Sequence, residues 1–202
     1  MPKGDGMKRL FDFACAYLLL CFLGPVLFFI ALAVMLESGP PIFFVQTRVG
    51  RRGKHFGLFK FRTMYKDAES RGQLTLGHRD PRVTKVGYYL RKYKVDELPQ
   101  LFNVLLGHMS LVGPRPEVPK YVKLYNKEQL QVLKLRPGIT DWASIEYMDE
   151  AELLAKAEDP EKMYIEEIMP RKLQINLDYM AQRKGLISDI AVLFKTVFKI
   201  FR

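Results

Sequence analysis

The sequence predicts a mainly helical α+β protein: an N-terminal re-entrant membrane helix hairpin over 1–40, then a small cytosolic unit over 41–202 with a β-hairpin and amphipathic interfacial helices. Three observations predict it. An uncharged apolar run, FACAYLLLCFLGPVLFFIALAVML (13–36), lies between Asp12 and Glu37 and is interrupted midway by Gly24-Pro25. Two stretches rich in aromatic and β-forming residues, 42–47 and 56–62, flank a turn bounded by Gly50 and Gly53. Beyond them helical patterns dominate.

As continuous helix the apolar run would reach about 36 Å, against a hydrocarbon core of roughly 30 Å, so it belongs in a bilayer. It is longer than the apolar core of a signal peptide, and no A-x-A-like cleavage site follows before Gly39-Pro40-Pro41. Pro25 removes a backbone donor and clashes with the carbonyl of Cys21, so the helix is expected to break there into two half-helices. Lys3, Lys8 and Arg9 precede the run, and Arg48, Arg51, Arg52 and Lys54 follow it. The positive-inside rule then wants both ends in the cytoplasm, which favours a hairpin in one leaflet over a kinked span.

After the β-hairpin, helices are expected over 64–71, 83–93, 98–106, 117–134, 150–157, 160–183 and 186–201. In the last of these Ile190, Leu193, Phe194, Val197 and Phe201 recur at helical spacing, with Lys195, Lys199 and Arg202 set off from the stripe. Such a helix either packs on the core or lies in the headgroup layer, its lysines toward anionic lipid.

The chain has 202 residues, 49% of them hydrophobic and 27% charged, which suits one domain and excludes disordered or polytopic classes. Its net charge of +10 calls for an anionic partner: nucleic acid, a membrane surface or a phosphorylated substrate. Cys15 and Cys21 both lie in the apolar run, so disulfides and cysteine metal sites are set aside. His55, His78 and His108 are scattered and read as surface or supporting residues. Neither a P-loop nor a G-x-G-x-x-G fingerprint is present.

The chemistry concentrates in KVDELPQLFN (94–103). Adjacent carboxylates repel, so Asp96-Glu97 needs nearby cations, and Arg79, Arg82, Lys85, Arg91, Lys92 and Lys94 precede it. Pro99 suits the first turn of a helix, which places the pair where the helix dipole favours an ionised carboxylate. Such a pair is a helix cap, a phosphorus nucleophile, or a holder of a Mg2+ ion that bridges to substrate phosphates. Gly113-Pro114-Arg115-Pro116 and Arg136-Pro137-Gly138 each set an arginine beside residues that fix or free the backbone, and Lys60 and Arg62 fall on the second strand. Singly each is a solvated surface charge; together they describe a diphosphate site divided along the sequence.

The strings FKFRTM (59–64), DELPQLFNVL (96–105), GHMSLVGPRPE (107–117) and RPGIT (136–140), in this order behind an apolar segment, resemble the bacterial sugar transferases known as small monotopic phosphoglycosyl transferases. The resemblance covers nearly the whole chain. It implies transfer of a sugar-1-phosphate from a UDP-sugar to a polyprenol phosphate such as undecaprenyl phosphate, with Mg2+ and release of UMP. It implies a re-entrant helix broken near a proline, at the cytoplasmic face of a bacterial inner membrane. It leaves nucleic acid without a role and a homodimer open as an assembly. Residues 41–202 would be the catalytic domain.

Position by position, the resemblance makes Asp96 the nucleophile and Glu97 its partner at the metal. Lys60, Arg91, Arg115 and Arg136 would bind phosphates, and Asp189 would orient one of these arginines. Two departures stand out. Gly24-Pro25 replaces a Ser-Pro at the helix break, and from Asp141 onward the chain lacks a glycine-rich stretch, so the identity of the sugar does not carry over.

Overall fold

The computed structural model describes residues 5–66, 80–182 and 185–200. Lys3, His78, Arg79, Phe201 and Arg202 lie outside them, as does most of the helix expected over 64–71; Met64 itself forms an isolated bridge with Val83.

Helix α1, Asp5–Ser38, runs through Pro25 as one helical element of 34 residues, about 51 Å along its path. Helical structure thus continues across the break expected at Gly24-Pro25. Proline forfeits one bond to the preceding turn, and the bonds of the flanking turns carry the helix past it.

Polar contacts tie both ends of α1 to the rest of the chain. Near its start, buried Asp12 accepts from Leu111 N at 3.2 Å, and Arg9 donates to the carbonyls of Val104 and Leu105 at 2.6 and 3.0 Å. Lys8 pairs with Asp189 at 2.7 Å. Near its end, Glu37 accepts from Lys85 N and Val86 N at 2.8 and 3.0 Å, and Arg62 donates to Ser38 O at 2.8 Å and to Gly39 O. Between these anchors, Leu18, Phe22, Phe28 and Phe29 stay exposed, and α1 is long and apolar enough to cross a membrane.

The β-hairpin lies close to its expected place. Strands β1, Phe43–Val49, and β2, His55–Phe61, pair antiparallel around the turn Arg51–Gly53, with Gln46 opposite Leu58 and Arg48 opposite Phe56. Helix α2, Lys85–Lys92, starts at Thr84, whose side chain accepts from Gly87 N at 2.9 Å. Helix α3, Gln100–Leu105, follows Pro99.

A second sheet is absent from the sequence-based expectation. Strand β3, Ser110–Val112, pairs in parallel with β4, Gly138–Thr140, and each is too short to show alternation. Here Gly113 and Gly138 touch backbone to backbone: a Cβ on Gly138 would lie 2.1 Å from Gly113 N. These glycines serve close approach.

The single helix expected over 117–134 is corrected to α4, Pro119–Val122, and a separate 3-10 stretch, Gln129–Lys134. Asn126 separates them, its side chain accepting from the backbone of Glu128 and Gln129 at 3.0 and 2.8 Å. Helices α5, Trp142–Glu146, and α6, Glu150–Ala155, follow. Then come α7, Pro160–Met163, a π-turn over Tyr164–Ile168, and α8, Met169–Gln182. Helix α9, Leu186–Ile200, turns Val192 and Asp189 inward and leaves Ile187, Phe194, Val197 and Phe198 exposed. It both packs on the core and presents an apolar face outward.

One buried apolar cluster joins Ala16 of α1 to Leu58, Leu101, Val104, Leu111 and Val192; another joins Val34 to Phe61 and Leu90. The middle of α1 stands off from the domain across an apolar cleft of about 500 Å³ floored by Phe43, Phe61 and Phe102.

Candidate active site

Asp96 and Glu97 occupy the 3-10 turn Val95–Glu97, between Lys94 and the Pro99 start of α3. Lys94 has φ 56°, the left-handed conformation, which costs a non-glycine residue about 1–2 kcal/mol. The chain reverses there: Lys94 stays exposed while Asp96 is buried.

The cations around Glu97 come from distant segments. Lys60 lies on the same face of β2 as buried Leu58, and its Nζ reaches Glu97 Oε1 at 2.9 Å. Arg115, just beyond β3, grips both Glu97 oxygens, at 3.0 and 2.5 Å. Its own backbone N–H is held by Asp141 Oδ2 at 2.8 Å, and Asp141 also caps α5 through Ser144 N and accepts from Asn176 at 3.0 Å. Asn103, fully buried, joins β2 to α3: Oδ1 accepts from Phe59 N at 3.0 Å, and Nδ2 donates to Gly57 O at 2.7 Å.

Asp96, Glu97, Lys60 and Arg115, together with Arg91, Lys94 and Arg48, line a polar cleft of about 240 Å³. Arg48 and Gln46 reach it because alternate residues of β1 share a face with Lys60. Arg48 is held by Glu117 at 3.1 Å, Pro116 O at 2.9 Å and Gln46, and Glu117 also accepts from the Tyr164 hydroxyl. Burial works to raise Glu97, but Arg115 and Lys60 outweigh it and hold the carboxyl well below its usual range. Burial lowers Lys60, Arg48 and Arg91, so an entering anion would be favourable to each.

Asp96 differs from its neighbour. It makes no hydrogen bond or ion pair among the described residues, and burial, then Glu97, raise its pKa against the pull of Lys60, Arg91 and Lys94. An ionised state favoured by the helix dipole is thus not the dominant influence here; α3 has only six residues, and desolvation prevails.

Of the residues singled out in the sequence, Asp96, Glu97, Lys60, Arg91 and Arg115 meet in this cleft. Arg62 instead secures the end of α1, and Arg82 pairs with Asp80. Arg136 and Asp189 are not among the residues lining it; Asp189 is buried against Lys8 and accepts from the Tyr179 hydroxyl at 2.6 Å. Sequence reasoning missed Arg48, Glu117, Asn103, Asp141, Glu150 and Lys172. Alternation along the first strand is the signal that could have found Arg48; the others are visible only once the chain has folded.

On one side the polar cleft meets a larger groove of about 820 Å³, lined by Leu18, Leu19 and Phe22 of α1 and by Leu193 and Val197 of α9. Lys94, Glu97, Arg115, Glu150 and Lys172 border both spaces.

Among the proteins to which this chain is similar is an uncharacterized sugar transferase, EpsL, of Bacillus subtilis (strain 168), 47% identical over 69% of this chain and 68% of that protein. The UDP-glucose:undecaprenyl-phosphate glucose-1-phosphate transferase of Escherichia coli (strain K12) is 38% identical over 96% of this chain and 40% of its own length. The undecaprenyl-phosphate glucose phosphotransferase of Komagataeibacter xylinus is 37% identical over 94% of this chain, which spans 35% of that longer protein. The sequence pattern of the family described as bacterial sugar transferase matches residues 4–202. With residues of three of its motifs, Lys60, Asp96, Glu97 and Arg115, gathered at one cleft, the chain belongs to the bacterial sugar transferase family.

Proposed function

We propose that this chain transfers a sugar-1-phosphate from a UDP-sugar to a polyprenol phosphate, undecaprenyl phosphate by analogy with its named relatives, in a first membrane step of glycoconjugate assembly. The observation that carries the proposal is Asp96: a carboxylate without a side-chain partner, in a cationic cleft that opens onto an apolar groove reaching α1. Six cationic side chains line the cleft against four carboxylates, which suits the two negative charges of a nucleoside diphosphate sugar.

In the proposed route, an oxygen of Asp96 attacks the sugar-bearing phosphorus. The bond from that phosphorus to the bridging oxygen breaks, and UMP leaves with the electron pair. An oxygen of the polyprenol phosphate then attacks the same phosphorus, the bond to Asp96 breaks, and the carboxylate is restored as the polyprenyl diphosphate sugar departs. Glu97 fixes Lys60 and Arg115 beside the reacting phosphates, and Arg48 and Arg91 add charge along the wall.

Magnesium fits this arrangement as a proposal. Among the described residues no three His, Cys, Asp or Glu side chains gather into an all-protein cage. A Mg2+ ion that keeps most of its water needs only one or two carboxylates plus substrate oxygens. Asp96 offers one; Glu97 is engaged by its two cations. When bound, the ion would neutralise charge on the diphosphate. UMP release should stop in EDTA and return with Mg2+; release unchanged by EDTA would remove the metal.

The polar anchors at both ends of α1 support a re-entrant helix, with both ends on the cytoplasmic face of a bacterial inner membrane and the middle in one leaflet. The groove would then admit the prenyl chain from the lipid side. The decisive assay is UMP release from a panel of UDP-sugars with undecaprenyl phosphate. Asp96→Asn should lower turnover by about a thousand-fold or more, and a variant turning over normally would refute the assignment.

A further inference from the structure

Where the polar cleft and the apolar groove meet, they share a wall that contains an ion pair with no assigned role. Lys172 Nζ and Glu150 Oε2 lie 2.5 Å apart, bridging α8 and α6. Lys172 falls on the inward face of α8, in register with buried Met169, Leu173 and Asn176, yet its head emerges at this wall. The other cations of the wall are differently placed. Arg115 is committed to Glu97 through two bonds, and Lys94 projects from the exposed turn. Lys172 is paired with a single carboxylate, on a helix of six residues in the segment that departs from the family pattern.

We propose that Lys172 binds the phosphate of the lipid acceptor, and that Glu150 is the resting counter-ion it exchanges for that phosphate. This rests on the transferase reading above. An acceptor whose chain fills the groove must bring its phosphate across the shared wall to reach Asp96, because of these two spaces Asp96 borders the polar cleft and not the groove. A phosphate monoester carries a charge of about −1.5 to −2 at pH 7 and outcompetes one carboxylate for an ammonium group. Glu150, partly exposed on a short helix, can turn toward solvent when displaced.

The test is direct binding of undecaprenyl phosphate, and of undecaprenol as the phosphate-free control, to the full chain in detergent micelles. Lys172→Met should raise the Kd for undecaprenyl phosphate about ten- to hundred-fold and leave undecaprenol unaffected. Lys172→Arg should restore most of the affinity. Glu150→Gln keeps the cation and removes its competitor, so its Kd should equal or fall below that of the unaltered protein. A purely structural ion pair predicts that Glu150→Gln and Lys172→Met weaken binding alike, and that result would overturn the inference. So would loss of UDP-sugar affinity in Lys172→Met with acceptor affinity unchanged, which would assign Lys172 to the donor. Should Lys172→Met fail to fold, the direction of the Glu150→Gln change decides alone. Failure of the transferase reading shows separately, as absence of a phosphosugar adduct on a protein that still ranks these lipids as predicted.

Discussion

Replacing Asn103 by alanine tests whether the cleft is held together by the bond between β2 and α3. Its side chain is fully buried and makes two bonds, to Phe59 N at 3.0 Å and Gly57 O at 2.7 Å. Truncation leaves a buried donor and a buried acceptor, each costing about 1–3 kcal/mol when unsatisfied. Taking the lower half of that range for both gives a loss of about 3 kcal/mol, or a fall in Tm of roughly 6–12 °C for a domain of this size. Lys60 follows Phe59 on β2, and Glu97 lies at the approach to α3, so their 2.9 Å contact should loosen as well. Thermal unfolding in detergent, together with UMP release at a permissive temperature, reads both effects; kcat/KM should fall about ten-fold or more. A Tm drop under about 2 °C, on the same scale of Tm change per kcal/mol, or a destabilised protein with full activity, would refute the reasoning.

Other perturbations probe the rest of the account. Asp96 must be ionised to attack, and its pKa is raised, so the acid limb of adduct formation should lie above the ordinary aspartate value of about 3.9. Lys60→Met removes a cation that lowers Asp96 and should move that limb to higher pH; an unmoved limb contradicts the electrostatics. Gly138→Ala would set a Cβ 2.1 Å from Gly113 N and 2.5 Å from Gly113 O, parting β3 from β4. Its expected loss is about 3 kcal/mol, and unchanged thermal unfolding would show that the strands yield. With Cys15→Ser and Cys21→Ser as background, cysteines introduced as Lys3→Cys and Lys54→Cys should react with an impermeant thiol reagent from the same side of a sealed vesicle. Reaction from opposite sides would replace the re-entrant helix with a span.

Parts of this molecule were legible because their signals are local. The apolar run, the paired aromatic stretches around Gly50 and Gly53, and the periodicity from Pro160 onward each report an element without help from distant residues. The site was half legible. Asp96-Glu97, the arginine after Gly113-Pro114, Lys60 on the second strand and, among the preceding cations, Arg91 and Lys94 are visible in the chain, and all of them line the cleft. Proximity in sequence did not serve for every flanking cation: Arg82 pairs with Asp80, while Glu97 takes its partners from β2 and the loop beyond β3. The bonds of Asp141 and Asn103 are not visible in the sequence, because they exist only where distant backbones meet. Of the surplus positive charge, the cleft gathers six cations against four carboxylates.

The central claim is that Asp96 becomes covalently bonded to the phosphosugar. Purified protein should be mixed with Mg2+ and UDP-glucose or UDP-N-acetylgalactosamine, without lipid acceptor, acid-quenched, and analysed by intact-mass and peptide spectrometry. The account predicts a mass increase of one sugar phosphate, localised to Asp96, formed along with UMP, absent in Asp96→Asn and discharged by undecaprenyl phosphate. Sustained turnover with no such adduct, or an adduct that persists in Asp96→Asn, would contradict it.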